Sequence, residues 1–493
     1  MRRHLHPIMF AGTGSDVGKS VIAAAFCRIF LQDGYHPAPF KAQNMSLNSY
    51  PTPDGLEIGR AQAVQASASG IDCQTDMNPI LLKPGSDNMS QVVLNGKPFG
   101  NRDAYSYFSK EGRAFLKKEV HEAYGRLEKK YNPIVLEGAG SIAEINLKES
   151  DLVNMSMAMH AKADVILIAD IDRGGVFASI YGTLSLLEPE EKVLVKGIII
   201  NKFRGDIRLF KSGIEKIEEL CKIPVLGVIP FFNDIYIEEE DSVSLKTKRA
   251  NYMAGKVNVV VILLRHLSNF TDFGLMERDP RVNLYYSNNT DEIEKADIIL
   301  IPGTKSTLSD MFEIRKNGVA QSILESYKKG ATVMGICGGF QIMGQAISDP
   351  LHIESEIEQL PGLGLLPVNT VICKEKITRQ VSFTFHDSVE ICHGYEIHMG
   401  SSFVADGLEM KPLNKLSDGK EDGCYLNARC MGSYIHGILD NGPFIDFLLS
   451  PYTDKLIIKP IESNQFKEEQ FDKLADHVRK YVDVQNIYNI LSR

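Results

Sequence analysis

Two clusters in this 493-residue chain have the residue types and spacing to do chemistry. The first is Gly12-Thr13-Gly14-Ser15-Asp16-Val17-Gly18-Lys19-Ser20. Glycines let backbone N–H groups wrap phosphate oxygens, a following helix N-terminus adds positive potential, and a lysine beside a hydroxyl can reach phosphate and magnesium. The pattern therefore predicts a nucleoside triphosphate site, although its loop is longer than the usual G-x-x-x-x-G-K-[ST]. The second cluster is Gly335-Ile336-Cys337-Gly338-Gly339, which fits the nucleophile-elbow pattern G-x-[SC]-x-G. Glycines on both sides of Cys337 permit a strained turn that exposes the sulfur, and a helix N-terminus behind it favours a thiolate. Downstream, Gly432-Ser433-Tyr434-Ile435-His436-Gly437 offers a histidine to take the thiol proton and later return it to a leaving group. A free cysteine alone is most often a small buried residue; the elbow together with the histidine points to nucleophilic catalysis.

Both clusters need strands that deliver loops to one edge of a sheet. The first half of the chain alternates β-branched runs, at Ile8–Ala11, Ile134–Glu137, Val165–Ala169, Val195–Asn201 and near Val225–Ile229, with helical stretches such as Val21–Phe30. That alternation predicts a parallel sheet covered by helices. The chain then turns polar, with the acidic run Glu238–Asp241 followed by Lys246, Lys248 and Arg249, so a first domain over 1–240 and a linker over 241–256 are expected. A second series follows at Val257–Leu264, Ile298–Ile301, Thr332–Ile336, Gly364–Val371, Gly394–His398 and Gly432–Ile435. It predicts a second α/β domain over 257–450, and the polar, helix-like stretch 451–493 reads as a C-terminal helical extension for packing. The expected fold class is α/β, with two doubly wound domains.

Composition narrows the partners. Hydrophobic residues make up 44% and charged residues 24%, as in ordinary globular proteins. With 63 acidic and 54 basic residues the net charge is −9, which argues against a broad basic face for nucleic acid or an anionic membrane. No apolar run approaches the roughly 20 residues that cross a bilayer, and Met1–Phe10 does not read as a signal peptide. The eight cysteines are scattered, with no C-x-x-C pair and no zinc spacing. Small-molecule partners and a cytoplasmic location are expected.

The long glycine loop resembles that of dethiobiotin synthetase and its relatives, which phosphorylate a carboxylate or carbamate with ATP. The resemblance implies that Glu137, before Gly138-Ala139-Gly140, is a magnesium-associated carboxylate beside Ser20, with Glu57 a further metal contact, and that Asn201-Lys202 occupies the base-recognition position. Cys337-Gly338-Gly339-Phe340-Gln341 and the later His436 resemble class I glutamine amidotransferases, whose cysteine attacks the side-chain amide of L-glutamine and releases ammonia. In that family the backbone N–H groups matching Gly303 and Gly338 form an oxyanion hole, and the residue matching Gln341 helps hold glutamine. One departure stands out: the family pattern His-x-Glu is here His436-Gly437-Ile438. Either a dyad acts, or an acid elsewhere orients His436, with Glu396 in Gly394-Tyr395-Glu396-Ile397-His398 the example at hand.

A P-loop carboxylate kinase fused to such an amidotransferase looks like the cobyric acid synthase and cobyrinic acid a,c-diamide synthase families of cobalamin biosynthesis. The segments Phe40–Ser49, Glu57–Ala63, Asn78–Pro84, Glu137–Leu147, Asp170–Phe177 and Asn201–Asp206 closely resemble cobyric acid synthases, and the likeness extends over residues 6–450. It implies ATP- and glutamine-dependent amidation of the b, d, e and g carboxylates of a corrinoid, adenosylcobyrinic acid a,c-diamide, through acyl phosphates. Lys41, Arg60, Lys83, Arg173 and Arg204 would pair with substrate carboxylates or phosphate. The alternatives are a diamide synthase acting at the a and c carboxylates, and a P-loop regulatory ATPase carrying an inactive amidotransferase-like binding module.

Overall fold

The computed structural model describes residues 3–84, 89–103, 110–232, 234–238, 252–455 and 463–492. Of the linker expected at 241–256, residues 241–251 lie outside the described residues, as do 456–462 and 493 of the expected extension. The chain forms two compact units: Met1–Ser46, Glu57–Glu238 and Asn464–Arg493 make one, and Leu47–Leu56 with Glu239–Ser463 make the other.

The first unit is built on a six-stranded parallel sheet in the order Val225–Pro230, Val195–Phe203, Asp164–Asp170, Ile8–Gly12, Ile134–Glu137, Ala38–Phe40. Every residue of Ile8–Gly12 and Asp164–Asp170 is buried, as near-continuous apolar strands covered on both faces require. Gly12 at the C-terminal end of the central strand opens the glycine loop, and helix Lys19–Gln32 follows it. This helix packs Phe26 and Phe30 against a core that also takes Phe471, Leu474, Val478, Ile487 and Leu491 from the chain's last two helices, Ser463–Tyr481 and Val484–Leu491. Arg28 ties the same helix to Asp472 at 2.7 Å and Glu468 at 2.8 Å. A four-stranded sheet, Gln43–Met45, Ile80–Pro84, Met89–Leu94 and Lys97–Asp103, completes the unit.

The second unit has a parallel sheet ordered Val282–Ser287, Val257–Ile262, Ile298–Ile301, Thr332–Ile336, Cys430–Ser433, closed at one edge by antiparallel Cys424–Asn427. The sequence pattern of Gly364–Val371 and Gly394–His398 predicts strands of the same alternating series. In the structure they belong to a separate sheet, dominated by the long antiparallel hairpin Val368–Phe385 and Cys392–Val404. A hairpin of this length has one face on the core and one toward solvent, so its apolar positions are diluted by residues such as Lys374, Lys376 and Arg379.

Candidate active site

In the first unit the glycine loop runs from the central strand into the helix with Asp16 at φ +56° and Gly18 at φ +98°. A side chain at Gly18 would come within 2.1 Å of the Asn201 amide nitrogen, so only glycine fits there. Asn201 donates from that amide to the Val17 carbonyl at 2.9 Å, which places it directly beneath the loop. The Lys19 ammonium lies between the Gly14 and Gly140 carbonyls, at 2.9 and 3.1 Å. Glu137, at the end of the neighbouring strand, is buried and accepts from Ser20 Oγ at 2.7 Å, Lys41 Nζ at 2.8 Å and Gln65 Nε2 at 2.6 Å. Burial pushes this carboxyl up, but the Lys41 ammonium and the three hydrogen bonds outweigh it and hold Glu137 ionised, below its usual range.

The remaining cations expected at a substrate also have acidic neighbours. Lys83 forms an ion pair with Glu57, Arg60 donates to Glu238 at 2.6 Å, Arg173 to Asp16 at 3.2 Å and Arg204 to Asp172 at 2.7 Å. Ser20 and Glu137 are thus brought together, whereas Glu57 faces Lys83. Among the described residues no three His, Cys, Asp or Glu side chains converge into a metal cluster. An oxygen pair from a hydroxyl and an ionised carboxylate nevertheless suits magnesium, which binds few protein ligands and keeps waters or phosphate oxygens.

In the second unit Cys337 sits between strand Thr332–Ile336 and helix Gly338–Met343 with φ +52° and ψ −111°. For a residue with a side chain this is a strained backbone, and the flanking glycines explain how it is held. A Cβ on Gly339 would stand 1.9 Å from the Ile301 carbonyl oxygen, and one on Gly335 would stand 2.5 Å from that of Gly339. The loop after strand Ile298–Ile301 brings Gly303 so near His436 that a Cβ there would be 2.9 Å from the imidazole Cε1. Gln341 accepts from Thr307 Oγ1 at 3.1 Å and donates to the Met399 carbonyl and the Tyr434 hydroxyl at 3.3 and 3.2 Å.

His436 is fully buried, and its Nδ1 lies 2.7 Å from Asp272 Oδ2. The other oxygen of Asp272 accepts from the Gly437 backbone N–H at 2.9 Å, so this carboxylate fixes both the ring and the turn that carries it. Burial alone would lower the imidazole, but the Asp272 carboxylate and then the Cys337 sulfur outweigh it and bring His436 up to about 10. Asn269 acts in the opposite sense: its Nδ2 lies 3.2 Å from His436 Nε2, an arrangement that favours a ring with a free lone pair on Nε2.

The suggestion that Glu396 orients His436 is therefore corrected. Glu396 forms an ion pair with Arg379 and lies 3.8 Å from His398, while Asp272 occupies the orienting position. Asp272 is not apparent from the sequence pattern because it comes 164 residues before the histidine, not two after it. The available signal was an acidic residue enclosed by apolar neighbours in Phe270-Thr271-Asp272-Phe273, just past strand Val257–Ile262.

This arrangement defines a class: a P-loop nucleotide-binding unit joined to a cysteine-histidine amidotransferase unit. Residues 8–244 match the family model of the CobQ/CobB/MinD/ParA nucleotide binding domain, and residues 258–444 match that of the CobB/CobQ-like glutamine amidotransferase domain. The chain is 66% identical to a cobyric acid synthase of Bacteroides fragilis, covering 100% of this chain and 99% of that protein. It is 60% identical to the one of Parabacteroides distasonis, over 99% of both chains, and 45% identical to the one of Syntrophobacter fumaroxidans, over 98% of both. The chain belongs to the cobyric acid synthase family, glutamine-dependent amide ligases of cobalamin biosynthesis. No helix among the described residues is long and apolar enough to cross a membrane.

Proposed function

We propose that the chain amidates the b, d, e and g carboxylates of adenosylcobyrinic acid a,c-diamide, using ATP in the first unit and L-glutamine in the second. The observation that carries the glutamine half is the buried His436, with Nδ1 engaged by Asp272 at 2.7 Å and the Cys337 sulfur near enough to help raise the imidazole. In the first step His436 removes the Cys337 proton and the sulfur attacks the glutamine amide carbon. The oxyanion that forms points to the backbone N–H groups of Gly303 and Gly338, the latter being the first residue of a helix and so without an intrahelical acceptor. Collapse breaks the C–N bond, His436 returns the proton to the departing nitrogen, and ammonia leaves a glutamyl thioester that water hydrolyses to glutamate.

In the first unit Lys19 and the N–H groups of Gly12–Ser20 cradle the ATP phosphates, with Asn201 supporting the loop from below. Ser20 and Glu137 would hold magnesium, which supplies charge neutralisation at the transferred phosphoryl group when bound. A substrate carboxylate oxygen takes the γ-phosphoryl group and ADP leaves. Ammonia then attacks the acyl carbon, the C–O bond to phosphate breaks, and inorganic phosphate and a proton depart with formation of the amide. Lys41, Arg60, Lys83 and Arg173 are the cations proposed to meet substrate carboxylates or phosphate, by exchanging their present acidic partners. A cytoplasmic reaction is part of this reading, supported by its use of ATP and glutamine. Mass spectrometry of corrinoids incubated with enzyme, ATP, magnesium and glutamine tests the reading. Four amidations of the a,c-diamide support it, and amidation at the a and c positions alone overturns it.

A further inference from the structure

We propose that residues 47–56 are a positioning arm of the glutaminase centre, holding His436 through Asn269 and Tyr395. Leu47–Leu56 interrupts the chain of the nucleotide-binding unit, between Ser46 and Glu57, yet belongs to the amidotransferase unit. Two separate contacts lead from it to the histidine. The Ser49 backbone N–H donates to Asn269 Oδ1 at 3.1 Å. Because an N–H must face the amide oxygen, this contact turns the other end of the amide, Nδ2, toward His436 Nε2 at 3.2 Å. Asn269 has φ +50° and caps the turn Phe270–Phe273 that carries Asp272, whose N–H donates to the Asn269 carbonyl at 3.0 Å. One arm contact thus bears on both sides of the imidazole.

The second contact is aromatic. Tyr50 meets Tyr395 edge-on with centroids 4.9 Å apart, and Tyr395 stacks on the His436 ring at 5.3 Å and 21°. The Tyr395 and His436 backbones also exchange hydrogen bonds of 3.0 and 2.8 Å. The arm is itself anchored: Gln380 Nε2 donates to the Pro51 carbonyl at 3.0 Å, and its tip is closed by Thr52 N–H to the Leu56 carbonyl at 2.8 Å. A ring that must hand a proton between sulfur and nitrogen loses rate when its plane wanders, because small misplacements of a catalytic base are costly. The matched amidotransferase segment, 258–444, contains neither Ser49 nor Tyr50, so its histidine is held partly by residues that lie outside the segment and far before it in sequence.

The inference rests on the Cys337–His436 reading above, and the test separates the two. In the full-length enzyme, Tyr50→Ala is expected to lower kcat for glutamine-dependent amidation about two- to tenfold, the worth of one aromatic contact. KM for glutamine should stay unchanged, because the arm acts on the base through Asn269 and Tyr395. Tyr50→Phe should restore the rate, and amidation supplied with ammonia should be equal in wild type and both variants. An unchanged kcat in Tyr50→Ala, a rise in KM alone, or an equal fall with ammonia would each overturn the positioning role. Cys337→Ser in the same series reports on the underlying reading: if it keeps glutamine-dependent activity, that reading fails whatever Tyr50 does.

Discussion

At His436 two neighbours make opposed demands. Asp272 draws a proton onto the imidazole, and the amide of Asn269 presents a donor where a protonated Nε2 would need an acceptor. Removing the acid leaves the Cys337 sulfur alone to favour protonation against burial and the amide, both of which oppose it. Asp272→Asn should therefore cut glutaminase turnover by on the order of 10²–10⁴, as loss of the orienting acid does in other triads, whereas Glu396→Gln should cost little. Ammonia-supported amidation should survive in both. The pH dependence has a definite sign. A histidine raised from 6.5 to about 10 stabilises the fold fully below pH 6.5, and that contribution is lost as pH rises through 10. The difference in unfolding temperature between wild type and Asp272→Asn should accordingly be largest near pH 6 and shrink toward pH 10, and a difference that grows with pH would contradict the assignment. Cys337, His436, Gln341 and the loop around Lys19 were legible because each lies in a short pattern whose neighbours must be glycine. Asp272 was not, because a carboxylate that meets its partner only through folding leaves no local spacing to read.

At the scale of elements, the sites depend on strands ending where a turn can be forced. The strand Thr332–Ile336, the elbow and the helix Gly338–Met343 fit only if the loop after Ile298–Ile301 touches bare backbone at Gly339. Gly339→Ala should push that loop and the elbow apart. An overpacking cost of about 1–3 kcal/mol is expected, with loss of glutaminase activity larger than the loss of stability, read by thermal unfolding alongside the assay. Equal activity in the variant would mean that the elbow tolerates displacement. The parallel strands were legible from their apolar runs, since burial on both faces leaves no polar alternation. The hairpin Val368–Phe385 and Cys392–Val404 was read only in fragments, because its charged solvent face breaks the apolar pattern and its pairing is set by contacts distant in sequence. The strands Ala38–Phe40 and Gln43–Met45 were too short to give any period.

The whole molecule is two chemistries on one chain, and the family relationship covers both. Two features of this scale were hidden from a linear reading: the last helices return to the first unit, packing on helix Lys19–Gln32, and Leu47–Leu56 leaves that unit for the other. Neither has a compositional mark, since a chain crossing between units needs no special residues. In the proposed function, nitrogen release and carboxylate activation are separate tasks of separate residues. The most direct measurement compares glutamine with ammonia as nitrogen donor, by mass spectrometry of the corrinoid, for Cys337→Ser and Lys19→Ala. Cys337→Ser should lose amidation with glutamine and keep it with ammonia, while Lys19→Ala should lose it with both, because the phosphate cradle serves carboxylate activation in either case. Loss with both donors in Cys337→Ser, or full amidation by Lys19→Ala, would contradict the division of labour.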